Sequence, residues 1–333
     1  MANETLDVVG IGNAIVDVIA HADDAFLVKH GLNKGAMTLI DAARAEALYA
    51  VMGPGIECSG GSAGNTMAGL ASLGGRGAYI GKVRDDQLGQ VFRHDIRAAG
   101  IAFDTLPTKS GAPTARCLVL VTSDAQRTMN TYLGACVELG PEDIDPFAIG
   151  AAQVTYLEGY LWDPPRAKEA FRKAAELAHA AGHKVSLTLS DPFCVERHRA
   201  EFRDLVRNHV DILFANEAEI LSLYEVEDFD RAIAAARVEC ELTAVTRSAA
   251  GSVVVTKDSV QAVKAAPVVR VVDTTGAGDL YASGFLYGYT RGKAPAECAR
   301  LGAIAAAEVI SHFGARPEIA LKTLIDPGAG ARA

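Results

Sequence analysis

Residues 273–279 read Asp-Thr-Thr-Gly-Ala-Gly-Asp, set between a β-branched run and an apolar segment. Glycine turns the chain tightly and lets a ligand approach the backbone. A helix starting near Ala277–Asp279 leaves several amide N–H groups without intrahelical partners, and with the helix dipole they favour negative charge. Gly276, Ala277 and Gly278 therefore suit a transferring phosphoryl group. Asp279 suits a base on an attacking alcohol, and the same helix start is expected to keep its carboxylate ionised. Such a group orients the hydroxyl and accepts its proton late, a contribution of roughly 10²–10⁴-fold. The plainer reading is a helix cap with turn glycines. Two better-known glycine motifs are excluded. No Gly-Lys-Ser/Thr follows a glycine-rich loop, and Gly10-Ile-Gly-Asn-Ala-Ile15 lacks the third glycine of the dinucleotide fingerprint.

Three further groups could serve that chemistry. Gly60 and Gly61 precede a helical pattern with Asn65 near its start. An Asn amide both donates to and accepts from hydroxyls, although capping and small-residue packing also fit. Asp17 is an acid in an otherwise apolar strand. Unpartnered burial is costly; vicinal sugar hydroxyls, a backbone amide or an arginine would each satisfy it. Asn216 and Glu219 lie three apart where a strand runs into a helix. They form either a cap or a station for Mg²⁺ and phosphate.

The string DTTGAGDLYASGF (273–285) resembles the C-terminal signature of the PfkB, or ribokinase-like, carbohydrate kinases, and CSGGSAGNTMAGLASLGG (58–75) resembles the N-terminal one. The likeness runs over roughly residues 5–320. It implies Asp279 as catalytic base and Gly276, Ala277 and Gly278 as the anion hole. It implies Asn13, Asp17, Gly60, Gly61 and Asn65 around the acceptor. ATP would lie along Asn216, Thr246, Gly276 and Gly278, with Glu219 holding Mg²⁺ through water. In VTRSAAGS (245–252) Thr246 is retained, but Arg247 and Ser248 depart from the family pattern. Asp273 and Thr275 match positions that bind K⁺ in some members; a helix cap fits them equally.

GIGNAIVDV, LTLSDPF (187–193), VDILFANEAEI and QRTMNTYLGAC (126–136) are similar to the adenosine-kinase branch, though Asp191 departs from its alanine. There Arg127 stands where an arginine reaches the phosphates as a lid closes; a surface arginine is the alternative. SHFGARP (311–317) is instead more like ribokinase and fructokinase endings. The resemblance thus implies ATP-dependent phosphorylation of the 5′-hydroxyl of adenosine. The alternatives are a sugar kinase acting on ribose, fructose or a related acid, and a nucleoside-binding protein without catalysis.

The rest of the chain must position these groups. It has 333 residues, half of them apolar, and a net charge of −9. That supports a full core and argues against a nucleic-acid or membrane-surface partner. No apolar stretch approaches the ~20 residues of a membrane span. Six dispersed cysteines without a CxxC, and a start without a leader pattern, predict reduced thiols and a cytoplasmic protein. A monomer is expected rather than a homodimer.

Strand-like runs at 7–12, 77–83, 154–159, 184–189, 211–215, 242–246 and 252–256 alternate with helical patterns at 64–74, 87–100, 166–181, from Asn216, and from Pro295 to before Gly314. The expected class is α/β: one ribokinase-like domain with a central, mostly parallel sheet between helices. Segments at about 13–22, 34–41 and 113–136 read as antiparallel strands of a small lid sheet. The tail Gly-Ala-Gly-Ala-Arg-Ala (328–333) is expected to fray.

Overall fold

The computed structural model describes residues 5–124 and 126–326. The tail expected to fray, and residues 1–4 of the start, lie outside the described residues.

Among the described residues fourteen strands form two sheets. In chain order they are β1 (Leu6–Ile11), β2 (Ile15–His21), β3 (Met37–Leu39), β4 (Gly55–Gly60), β5 (Gly77–Ile80), β6 (Ile101–Ala102) and β7 (Ala115–Val121). Then follow β8 (Arg127–Tyr132), β9 (Ala152–Glu158), β10 (Lys184–Thr188), β11 (Ile212–Asn216), β12 (Leu242–Thr246), β13 (Ser252–Thr256) and β14 (Val260–Val263). The large sheet has the order β14-β13-β12-β11-β10-β9-β1-β5-β6. It is parallel from β12 to β6, and β13 and β14 add an antiparallel edge.

Its inner strands read as near-continuous apolar runs because both faces are covered. Val9, Ile11 and Leu157 point to one core with Trp162, Phe171 and Phe202. Val8 and Tyr156 point to the other with Met67, Phe92, Phe214 and Phe285. The helices Pro165–Ala180 and Pro192–His209 supply the first core, and Ser62–Ser72, Gln87–Ala98, Ala277–Tyr289 and Pro295–Val309 the second. The helix Pro192–His209 is absent from the sequence reading; Asp191 caps it by accepting from the Cys194 amide at 2.6 Å.

The small sheet has the order β3-β8-β7-β2-β4, backed by the helices Asp24–Lys29 and Ala42–Tyr49. It differs from the expected lid in two respects. The pairs β2–β7 and β3–β8 are parallel, and only β2–β4 and β7–β8 are antiparallel. The segment leading to Gly60, read as the approach to a helix, is itself the edge strand β4. Its Gly and Cys content carries little strand propensity; pairing with β2 fixes it instead.

Candidate active site

The two glycine turns sit at the starts of two helices that pack against each other. A Cβ on Gly69 would lie 2.5 Å from Leu280 and Ser283 side-chain atoms, so the close approach requires glycine there. This contact brings the two helix starts together. Ser62 Oγ donates to Asp279 Oδ1 at 2.6 Å, and Asn65 Nδ2 donates to Asp279 Oδ2 at 3.2 Å.

Gly276 caps its helix with φ 78° and ψ −1°, a left-handed conformation that favours glycine. The amides of Gly276 and Gly278 have no protein acceptor among the described residues. The Ala277 amide donates to Thr274 O at 3.2 Å. Of the three amides expected to face an anion, the turn thus spends one internally.

The expectation for Asp279 needs a correction. Burial raises its pKa to about 6, against the bonds from Ser62 and Asn65 and the charge of Arg316. Desolvation outweighs those stabilising contacts. The group is still mostly a carboxylate at neutral pH, and it is a stronger base than an exposed aspartate.

Asp17 lies on β2 between Cys58 of β4 and Cys117 of β7. Burial raises its pKa to about 6, opposed by Arg127 and Arg316, while Asp279 adds to the rise. A Cβ on Gly60 would sit 2.4 Å from Asp17 Oδ2, and one on Gly61 2.3 Å from Asn13 O. Asn13 is buried, its Nδ2 donates to Glu158 Oε1 at 2.8 Å, and its Oδ1 has no partner. Asn13, Asp17, Gly60, Gly61 and Asn65 therefore gather around the junction of the two sheets, next to Asp279.

Arg127, at the start of β8, does not stand open toward a phosphate. Its Nη1 pairs with Asp273 Oδ2 at 2.5 Å, with side chains only 8% and 7% exposed. The Gly314 amide also donates to Oδ2, and Thr275 donates through N and Oγ1 to Oδ1. Burial works against ionisation of Asp273, but these bonds and the Arg127 charge hold its pKa below the usual carboxylate range. The K⁺ expectation at Asp273 and Thr275 thus meets a carboxylate already neutralised by a guanidinium.

Asn216 and Glu219 close a reciprocal cap. Asn216 Oδ1 accepts from the Glu219 amide, and Glu219 Oε2 from the Asn216 amide, each at 2.9 Å. Burial, with Asp191 and Asp279 nearby, raises the Glu219 pKa to about 7. A bound cation would return it to the ionised form. Thr246 ends β12 beside Asn216 of β11. Arg247 stacks 3.9 Å from the Phe229 ring centroid and pairs with Glu217, so it faces away from that role. Ser248, where the family pattern has glycine, takes φ 50°. The unusual residue therefore adopts the backbone that glycine would supply.

Three residues at the site were missed in the sequence. Ser62 lies within the second glycine string, where nothing in its type sets it apart from a helix cap. Glu158 ends the buried strand β9; it accepts from the Ala63 amide at 2.8 Å and from Asn13, and burial pushes it up to about 7. An acid closing an apolar strand, as at Asp17, was its available signal. Arg316 reaches Asn65 from the far end of the chain; it lies in the SHFGARP string, but nothing local points from there to Asn65.

The pfkB family carbohydrate kinase profile matches residues 55–321. The chain belongs to the pfkB family. A pfkB kinase is a phosphotransferase, in keeping with the helix-start geometry. The chain is similar to the adenosine kinase of Sinorhizobium meliloti, at 57% identity over 97% of this chain and 99% of that one, with TM-score 0.90. It is also similar to a probable sugar kinase of Rhizobium etli, at 52% identity, covering 98% and 99% of the two chains, with TM-score 0.91. Adenosine kinase 2 of Arabidopsis thaliana is 26% identical, covering 92% of this chain and 94% of that one. Among the described residues no helix is long and apolar enough to cross a membrane.

Proposed function

We propose that the protein transfers the γ-phosphoryl group of ATP to the 5′-hydroxyl of adenosine. The observation that carries the acceptor is the 57% identity, over almost the whole chain, to the Sinorhizobium meliloti adenosine kinase. Asp279 takes the hydroxyl proton. The Gly276 and Gly278 amides, with Ala277 between them, receive the charge of the transferring group, and Arg127 reaches the same turn from the lid through Asp273. Asn13, Asp17, Gly60, Gly61 and Asn65 hold the nucleoside, with Asp17 on the ribose diol. Asn216 and Thr246 lie along ATP. Glu219 would hold Mg²⁺ through water, and that ion would neutralise phosphate charge. Holding both partners in place supplies much of the rate. Cytoplasmic location and a monomeric state belong to the same reading.

The 52% identity to the Rhizobium etli probable sugar kinase keeps a free sugar as the second reading. Coupled ADP release, measured across adenosine, other nucleosides, ribose and fructose, separates the two. Saturation by micromolar adenosine with no response to the sugars is the expected result, and the reverse pattern overturns the assignment.

A further inference from the structure

Arg316 lies beyond the last long helix, in the SHFGARP string (311–317), to which the sequence reading assigns no role at the site. Its Nε donates to Asn65 Oδ1 at 2.9 Å. Its Nη2 donates to Ser59 O at 2.7 Å and to Ser59 Oγ at 2.9 Å. Ser59 is itself fixed, since its amide and hydroxyl donate to Asp95 Oδ2 at 2.8 and 2.6 Å. The guanidinium is thus anchored on β4 and bears on a side chain of the Ser62–Ser72 helix.

The consequence lies in the Asn65 carboxamide. That group presents an oxygen on one side and an NH₂ on the other, and it can be turned either way. A guanidinium has donors and no acceptor, so it holds only the oxygen. The NH₂ is then left facing Asp279, to whose Oδ2 it donates at 3.2 Å. Turned the other way, the amide oxygen would oppose the carboxylate, and Ser62 alone would hold it.

We propose that Arg316 is a positioning residue for phosphoryl transfer: by fixing which way Asn65 faces, it fixes the carboxylate of Asp279 against the acceptor hydroxyl. Its charge also favours the ionised forms of Asp279 and Asp17. The other groups acting on, or acted on by, Asp279 are Asp17 on β2, Tyr156 and Glu158 on β9, Tyr160 just after it, and Glu219 after β11. Ser62 and Asn65 favour the Asp279 carboxylate through hydrogen bonds, and the titratable groups just named are carboxyl or phenol groups, so Arg316 is the positive charge acting on Asp279 among the described residues.

The proposal rests on Asp279 as the base, and the test keeps the two claims apart. Turnover is measured for R316M, R316K, N65A and the R316M/N65A double variant, with the acceptor that the ADP-release screen selects, alongside thermal unfolding. R316M should lower kcat about 10- to 100-fold, as expected for a misaligned reacting group, with KM for ATP unchanged within about twofold. Its acid limb should move up by about one pH unit for loss of a nearby opposite charge. R316K should recover part of kcat. In the N65A background the same change should cost less than about threefold, because the side chain through which Arg316 acts is gone.

An equal loss from R316M in both backgrounds overturns the proposal, as does a loss that only follows the unfolded fraction. Should R316M not fold, the cycle with R316K gives the same decision. Near-normal turnover of D279N would instead sink the base. An inactive D279N with additive Arg316 and Asn65 effects sinks only the positioning role.

Discussion

The two glycine turns look alike in sequence and differ in what demands the glycine. At 60–61 the demand comes from the protein. Gly60 lies against the Asp17 carboxylate, and Gly61, at φ 82°, lies against the Asn13 carbonyl. At 276–278 the demand is divided. Gly276, at φ 78°, packs on Ala315, whereas a Cβ on Gly278 would meet no protein atom within 4 Å. Neither helix start has a side-chain cap. The first turn shapes a wall around a carboxylate, and the second keeps backbone amides approachable. A glycine motif can therefore be required by packing or by chemistry, and only the surroundings tell which.

The comparison can be broken most sharply at the acid between the turns. Asp279→Asn should lower kcat about 10²–10⁴-fold with acceptor affinity little changed, by steady-state kinetics and equilibrium binding. Normal turnover there removes the reason for the second turn.

Gly278→Ala should lower kcat about 10–100-fold through a displaced phosphoryl group. Its melting temperature should hold or rise, since alanine favours a helix over glycine by about 0.5–1 kcal/mol. Full activity in that variant would make Gly278 a mere spacer. Gly61→Ala should do the opposite. Strain at positive φ and a clash with Asn13 O should remove about 2–3 kcal/mol of stability, measured by denaturant unfolding.

The acid limb of kcat/KM should fall near pH 6, where Asp279 and Asp17 both titrate. A limb near pH 4 would mean that the two carboxylates are far better solvated than described. The smallest effect concerns stability. Asp279 has a native pKa above its unfolded value, so its ionised form disfavours folding above about pH 6, and the native state gains as pH falls through that value. A shift of about two units represents ~3 kcal/mol, and with part of it offset by weaker bonding of the amide to Ser62 and Asn65, Asp279→Asn should stabilise the fold at pH 8 by about 1 kcal/mol, by thermal unfolding, even as it loses activity. A destabilised variant would show that the two hydrogen bonds to the carboxylate outweigh its desolvation.

Much of this was legible along the chain. The alternation of apolar strands and helical patterns carries the main sheet, because parallel strands buried on both faces leave no other reading. The strings at 58–75 and 273–285 carry the two helix starts, since each needs glycine, a polar group and an apolar helix within a few residues. What stayed hidden depends on distant pairing. The strand β4 has the composition of a loop and becomes a strand only beside β2. Arg127 reads as a phosphate contact until the fold sets Asp273 against it. Arg316 acquires meaning only when Ser59 and Asn65, more than 250 positions away, are brought to it.

The small sheet is threaded in a way that bears on how the chain is made. The first excursion from the main layer supplies β2, β3 and β4, and the second supplies β7 and β8, which insert between β3 and β2. On a ribosome, β2 and β3 therefore emerge well before the hairpin that must separate them. Until roughly residue 132 has left the exit tunnel, the edges of β2 and β3 that take this hairpin stay unpaired and open to wrong partners, a hazard for nascent chains. Pauses in translation between these excursions should favour misassembly of this layer, whereas pauses after it should be harmless.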